Sequence, residues 1–160
     1  MLTVFSIPKA FRDEIAGIQG AALASWARLP ACELIVFGDE EGVAAAAAAV
    51  GARHVPEIAR NEHGTPLLSD AFATAARLAV NSVICFANTD VVLLPDLLDA
   101  AAAVTAWSPR FLLTGRCTNV EPIDADRLGG NGWLDDAMAT GTPRGHDFLD
   151  YFVWRVVRFN

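Results

Sequence analysis

Residues 83–100, VICFANTDVVLLPDLLDA, are apolar except where they open to show Asn88, Thr89 and Asp90. A carboxylate left unpaired in a core costs several kcal/mol. Asp90 therefore stands either at the mouth of a strand, facing solvent and a ligand, or opposite a buried partner. Polar groups interrupt apolar runs in the same way at residues 6–9 (SIPK), 39–41 (DEE) and 60–65 (RNEHGT). Two histidines fall near these breaks. His54 reads as a structural strand residue, and His63 beside Asn61 and Gly64 is a ligand-site candidate in an exposed loop. His146 with Asp147 could supply a metal ligand, although nothing local fixes it there.

The elements that must position these groups follow a regular order. LTVFSI is a β-branched and aromatic strand closed by Pro8. Phe11, Ile15, Ile18, Ala22, Trp26 and Leu29 recur at spacings of three and four, which predicts an amphipathic helix. CELIVFG is a second strand, the Ala-rich run after it a helix, and ARHVPEI a third strand. Pro66 opens the next helix, with Leu67, Leu68, Phe72, Ala75, Ala76 and Leu78 on its apolar face. SVICFA, a helix over 95–107 and a fifth strand RFLLTGRC follow. From 118 to 145 the pattern dissolves into Gly, Asn, Asp and Thr, with a short helix expected over 133–139, and HDFLDYFVWRVVRF closes the chain as a strand. The alternation predicts an α/β domain with a largely parallel sheet. Such sheets bind ligands beyond the carboxyl ends of their strands, where the polar breaks lie. Asp90 thus marks a strand exit at a ligand-binding edge.

The segments FSIPKAF, IVFGDEEG, ARNEHGTPLLSDAF, CFANTDVVLLPDLL and GHDFLDYFVW, in this order, resemble nucleotide-diphospho-sugar transferases of the GT-A glycosyltransferase fold. The resemblance implies a Rossmann-like GT-A domain over 1–160, with a largely parallel, mixed central sheet flanked by helices. It implies glycosyl transfer from a nucleotide-diphosphate sugar, UDP- or GDP-linked, to an unspecified acceptor. In that family a strand ends in an acidic Asp-x-Asp motif that holds a divalent metal against the diphosphate; here the motif reads Asn88-Thr89-Asp90. Asp90 is then the expected ligand of Mn²⁺ or Mg²⁺, a hard cation that takes oxygen ligands. Asn88 would orient ribose or a metal-bound water without contributing charge. The resemblance further places Ser6, Ile7 and Pro8 along the base, Asp39 at the base or ribose, and Asn61 and Gly64 in a loop that approaches the nucleotide. Asp150 would face the acceptor or the reacting sugar, as a base or sugar ligand. Similar transferases continue beyond DYFVWRVVRFN, so acceptor-side segments are expected to be missing.

The bulk properties narrow the alternatives. The 160 residues are 53% hydrophobic, enough for one domain with a real core. The net charge of −7 argues against nonspecific nucleic-acid binding, so phosphate would need a local site or a metal ion. The three cysteines form no CxxC pair, which points to a reduced, cytoplasmic setting, and no apolar run reaches the length of a membrane span. DVVLLPDLLDA faintly resembles receiver domains, but FSIPKAF lacks the paired acids they need, and it lacks the Gly-rich loop of a nucleotidyltransferase. Asn88-Thr89-Asp90 could instead cap the helix after Pro95, and residues 39–42 could be a turn with an acidic first helical turn. Lys9 and Arg12 read as a solvated helix start, the four Trp as packing groups and Cys85 as an inert buried thiol. The lost acid and the short chain leave a second function open: a nucleotide-sugar-binding or interaction domain without turnover. Tyr151, Phe152, Trp154 and Phe159 are expected to form an exposed aromatic end, a surface for a homodimer.

Overall fold

The computed structural model describes residues 1–130, 132–145 and 147–156. Apolar runs buried on both faces become the central strands. β1 (Leu2–Ser6) and β4 (Val83–Ala87) are buried at every position, and β2 (Cys32–Phe37) at its last four. With β3 (Arg53–Val55) these strands pair in parallel, joined by α1 (Asp13–Ala27), α2 (Val43–Ala49) and α3 (Leu68–Leu78). After α4 (Asp96–Trp107) come β5 (Leu112–Leu113), β6 (Thr118–Asn119), a 3-10 turn (Ala125–Gly129), α5 (Trp133–Thr140), β7 (Thr142–Pro143) and β8 (Tyr151–Arg155). The main sheet runs β3-β2-β1-β4-β8-β5, with β8 antiparallel to both neighbours, while β6 and β7 form a small separate ladder. The sheet is mixed but largely parallel, as the alternating element order predicts.

Period-two alternation divides the core. Leu2, Val4, Leu34, Val36, Cys85 and Val153 meet Leu23 and Trp26 of α1, Val43 and Ala47 of α2, and Leu97 and Ala101 of α4. On the other face Phe5, Ile35, Phe37, Ile84 and Phe86 meet Ala71 and Ala75 of α3. Phe5 lies edge-on to Phe37, Phe72 and Trp154 at 5.3–6.1 Å, and Trp154 stacks on Phe72 at 5.0 Å. These ring pairs add about 0.5–1.5 kcal/mol each beyond area burial.

Several expectations are corrected here. The aromatics of β8 do not form an exposed surface: Tyr151, Phe152 and Trp154 are half-buried in the core clusters, and Phe159 lies outside the described residues. Of the four Trp, Trp26 is core but Trp107, at the end of α4, is 86% exposed. Leu67 and Leu68 are exposed, and Ala71, Phe72 and Ala75 make the contact of α3 with the sheet. The fifth strand shortens to two residues. No helix among the described residues is long and apolar enough to cross a membrane.

Candidate functional site at the carboxyl edge of the sheet

Parallel pairing of β1, β2 and β4 brings their carboxyl ends to one edge, and antiparallel β8 brings its start there too. In that register Ala87 faces Tyr151, and the next residue, Asn88, donates its backbone N–H to the Asp150 carbonyl at 2.9 Å. Asn88 and Asp150 are thereby neighbours despite their separation in sequence.

The turn after β4 is held from below by α1. Trp26 Nε1 donates to the Val91 carbonyl at 2.8 Å, and the Leu93 N–H donates to Ser25 Oγ at 3.1 Å, both buried. Ser6 Oγ donates to the Ala87 carbonyl at 2.6 Å and lies 2.6 Å from Thr89 Oγ1. Since the one Ser6 hydroxyl proton is used on Ala87, Thr89 is the donor of that second bond. Asn88-Thr89-Asp90 does not cap α4, whose first residue is Asp96 and whose N-cap is Pro95. It forms a turn, closed by the Val91 N–H on the Asn88 carbonyl, that leaves Asp90 exposed with no side-chain partner among the described residues.

Two clefts meet at Asp90. The smaller, about 320 Å³, is lined by Ile7, Lys9, Ile15, Ile18, Gln19 and residues 88–90. Ile15 and Ile18, expected in the core, thus face this cleft instead; Ile15 is 42% exposed. Its floor is rigid, because Gln19 accepts from the Lys9 N–H at 2.8 Å and donates to the Lys9 carbonyl at 2.9 Å. The larger cleft, about 550 Å³, lies between α4, the segment after β5 and α5. Asp90, Arg116, Cys117, Arg144, Asp150 and Tyr151 contribute to its polar part.

Asp150 is buried, 6% exposed, and its charge is paired. Arg144 donates from one nitrogen to both carboxylate oxygens at 2.9 Å, and Asn88 Nδ2 donates to Oδ1 at 3.3 Å. The Arg144 guanidinium also sits over the Phe148 ring at 4.4 Å, which fixes its plane. Burial, then the negative field and hydrogen bond of Asp150, push the Cys117 thiol up to about 11, so it stays protonated at neutral pH. Burial raises the Tyr151 phenol as well.

A second polar cluster occupies the β2–β3 side of the edge and lines neither cleft. Arg60 donates to Asp39 Oδ1 and to Glu40 Oε1, both at 2.8 Å, and to the Gly64 carbonyl at 2.9 Å. The carboxylates, Glu40 first, raise the Arg60 pKa further. Glu40 Oε2 is buried beside Gly38 with no partner among the described residues. Asn61 Oδ1 accepts from the His63 and Thr65 N–H groups, and Gly64 takes φ +78°, so both residues shape this tight loop. His54 Nε2–H donates to the Gly38 carbonyl at 2.8 Å, in the structural role expected for it, and His63 is exposed beside Glu62.

The expected site residues therefore divide. Ile7, Asn88, Asp90 and Asp150 line the clefts. Asp39, Asn61 and Gly64 gather with Arg60. Ser6 and Pro8 are buried, Ser6 with its hydroxyl committed to the β4 turn. Arg60, Glu40, Arg144 and Cys117 were missed by the sequence reading; the only signal was a basic residue in each polar loop, and nothing local paired it. His146 lies outside the described residues.

Mg²⁺ and Mn²⁺ are commonly held by one or two carboxylates together with substrate phosphates and water. Among the described residues no group of three His, Cys, Asp or Glu side chains could enclose an ion. The exposed, unpaired Asp90 carboxylate fits a single protein ligand for an ion that arrives with a diphosphate.

The mixed, largely parallel sheet, its order and its flanking helices define a Rossmann-like α/β fold with clefts at the carboxyl edge. Among solved structures the chain resembles residues 1–349 of TarS from S. aureus, with TM-score 0.51 and 12% identity over 97% of this chain and 47% of that one. It also matches CMP:2-keto-3-deoxy-manno-octonic acid synthetase complexed with CTP, with TM-score 0.49 and 11% identity over 97% of this chain and 73% of that one. The chain thus spans about half the length of the TarS structure. No protein-family model and no curated protein matches it.

Proposed function

We propose that this chain binds a nucleotide-diphosphate sugar at the carboxyl edge of its sheet and acts as a glycosyltransferase. The observation that carries the reading is the position of Asp90, exposed and unpaired where the two clefts meet. The smaller cleft takes the nucleotide: Ile7 and Ile18 offer apolar surface to the base, and Lys9 offers a cation. Asp90 would hold Mn²⁺ or Mg²⁺, which would supply Lewis-acid stabilisation of a diphosphate leaving group when bound. Asn88 orients ribose or a metal-bound water. Asp39, paired with Arg60 outside the smaller cleft, meets the part of the base or ribose that extends past that cleft toward the β2–β3 side, and the loop of Asn61 and Gly64 backs it. Ser6 acts through Thr89 as a positioning residue.

In the transfer an acceptor hydroxyl oxygen bonds to the anomeric carbon as the bond from that carbon to the diphosphate breaks. The electron pair leaves with the diphosphate, and the hydroxyl proton passes to a carboxylate. Asp150 faces this reacting end, oriented by Arg144 and Asn88.

The test is calorimetric titration with UDP and GDP, with and without Mn²⁺, on the parent and Asp90→Asn. Metal-dependent binding that is lost in Asp90→Asn is expected; equal binding by the variant in saturating Mn²⁺ would remove the metal role. Asp39→Ala should weaken binding with or without metal. A second reading, a binding domain without turnover, is favoured by the neutral Asn88 and by the engagement of both Asp150 oxygens with Arg144. Tight nucleotide binding with no release of UDP from its sugar conjugates over hours would select it.

A further inference from the structure

We infer that the larger cleft is a binding site for an amphiphilic acceptor, a neutral hydroxyl-bearing head carried on a small alkyl or aryl body. This rests on the donor reading above for its role, though not for its chemistry. At about 550 Å³ the cleft has the size of small-molecule sites, which are mostly apolar with a few convergent polar groups. Its body is Leu97 of α4, Val120, Ile123, and Trp133, Leu134 and Met138 of α5. Its charged lining is Asp90, Asp96 and Asp150 with Arg116 and Arg144, three carboxylates against two guanidiniums. That lining suits a neutral, hydrogen-bonding head rather than a second anion.

The apolar wall lacks a covering group among the described residues. Met138 is 60% exposed, Val120 38% and Leu134 37%, and α5 buries no residue at all. A helix of this kind keeps apolar side chains against water unless something occupies the concave side. The cleft is concave, about half open to solvent, and lined in part by charges, which suits a small amphiphile and not a flat face of a second copy. Continuity supplies the occupant's orientation: Asp90 belongs to both clefts, so a polar head at this end meets the reacting end of a donor in the smaller one.

The probe is n-hexyl β-D-glucoside, with methyl β-D-glucoside as the chain-less control, each titrated into the full chain while Trp fluorescence and heat are followed. The hexyl compound should bind at least about tenfold more tightly than the methyl one, since each buried methylene adds to affinity. Met138→Glu should weaken it by at least about tenfold through a charge in the apolar wall. Because Met138 is largely exposed, the variant should keep the parental unfolding midpoint. UDP with Mn²⁺ should not displace the hexyl compound. Equal affinity for the two glucosides, or unchanged binding by Met138→Glu, would overturn the site. Displacement by UDP would overturn it by making the cleft part of the donor site. Sedimentation showing a dimer that Met138→Glu breaks would overturn it by making a second copy the occupant. If the parent fails to bind UDP or GDP but still takes the hexyl compound, the donor reading fails and the amphiphile site stands.

Discussion

At the scale of single residues, the central fact is a buried carboxylate whose position depends on one cation. Removing Arg144 leaves Asp150, 6% exposed, without its charge partner. A fully buried pair would lose about 3–5 kcal/mol on such a change. Arg144 is itself about a quarter exposed, so water can enter, and Arg144→Met is expected to cost roughly 1–3 kcal/mol in urea unfolding. Adding Asp150→Asn should restore much of the loss; strictly additive effects would show that the pair is uncoupled. The thiols make a second prediction. Burial raises Cys32 and Cys117 from 9.0 to about 11, and raises Cys85 further. The folded state thus favours the neutral thiol. Its contribution is fully present below pH 9 and is lost as pH rises through about 11. Urea midpoints between these two pH values should fall, and should fall less steeply in Cys117→Ser. A flat midpoint in the parent would mean the thiols titrate normally.

At the scale of elements, two glycines separate backbone strain from crowding. Gly42, before α2, has φ +83° and an added Cβ would lie 2.7 Å from Phe11 Cβ. Gly51 has φ +67° and nothing within 4 Å. Both Ala variants should lose about 1–2 kcal/mol for the left-handed backbone, and Gly42→Ala should lose more because Phe11 must move. Equal unfolding midpoints would mean that the Phe11 loop yields freely. The same distinction between local and distant causes explains what the sequence made legible. β1, β2 and β4 are readable because strands buried on both faces need near-continuous apolar runs, and their polar exits follow directly. The face of α1 was misread because Ile15 and Ile18 keep helical spacing while bordering a cleft. The proximity of Asp150 to Asn88 depends on β8 returning antiparallel beside β4, which no local pattern encodes. Arg60 and Arg144 are invisible for the same reason, since each is defined by partners brought in by the fold. The end of the apolar run and the alternating element order placed Asp90 at a strand exit, and the exit is where the fold leaves it exposed.

At the scale of the whole molecule, the net charge of −7 bears on how a nucleotide arrives. A free nucleoside diphosphate is an anion and meets a repulsive field except near Lys9, Arg12, Arg60 and Arg144. Arg60 and Arg144 are committed to carboxylates, and Arg12 pairs with Glu41, so Lys9 is the main cation left facing the smaller cleft. Salt screens long-range repulsion within about 8–10 Å at physiological strength. The association rate of metal-free UDP should therefore rise between about 20 and 200 mM salt, against the trend for a basic nucleotide-binding surface. Mn²⁺ cancels much of the ligand's charge, so with the metal present the rate should depend little on salt. Stopped-flow mixing measures both. An association rate that falls with salt in the absence of metal would mean that Lys9 and its neighbours, rather than the net charge, set the field at the cleft mouth. A diphosphate could then be held by the protein's own cations, and the case for a metal on Asp90 would lose its electrostatic ground.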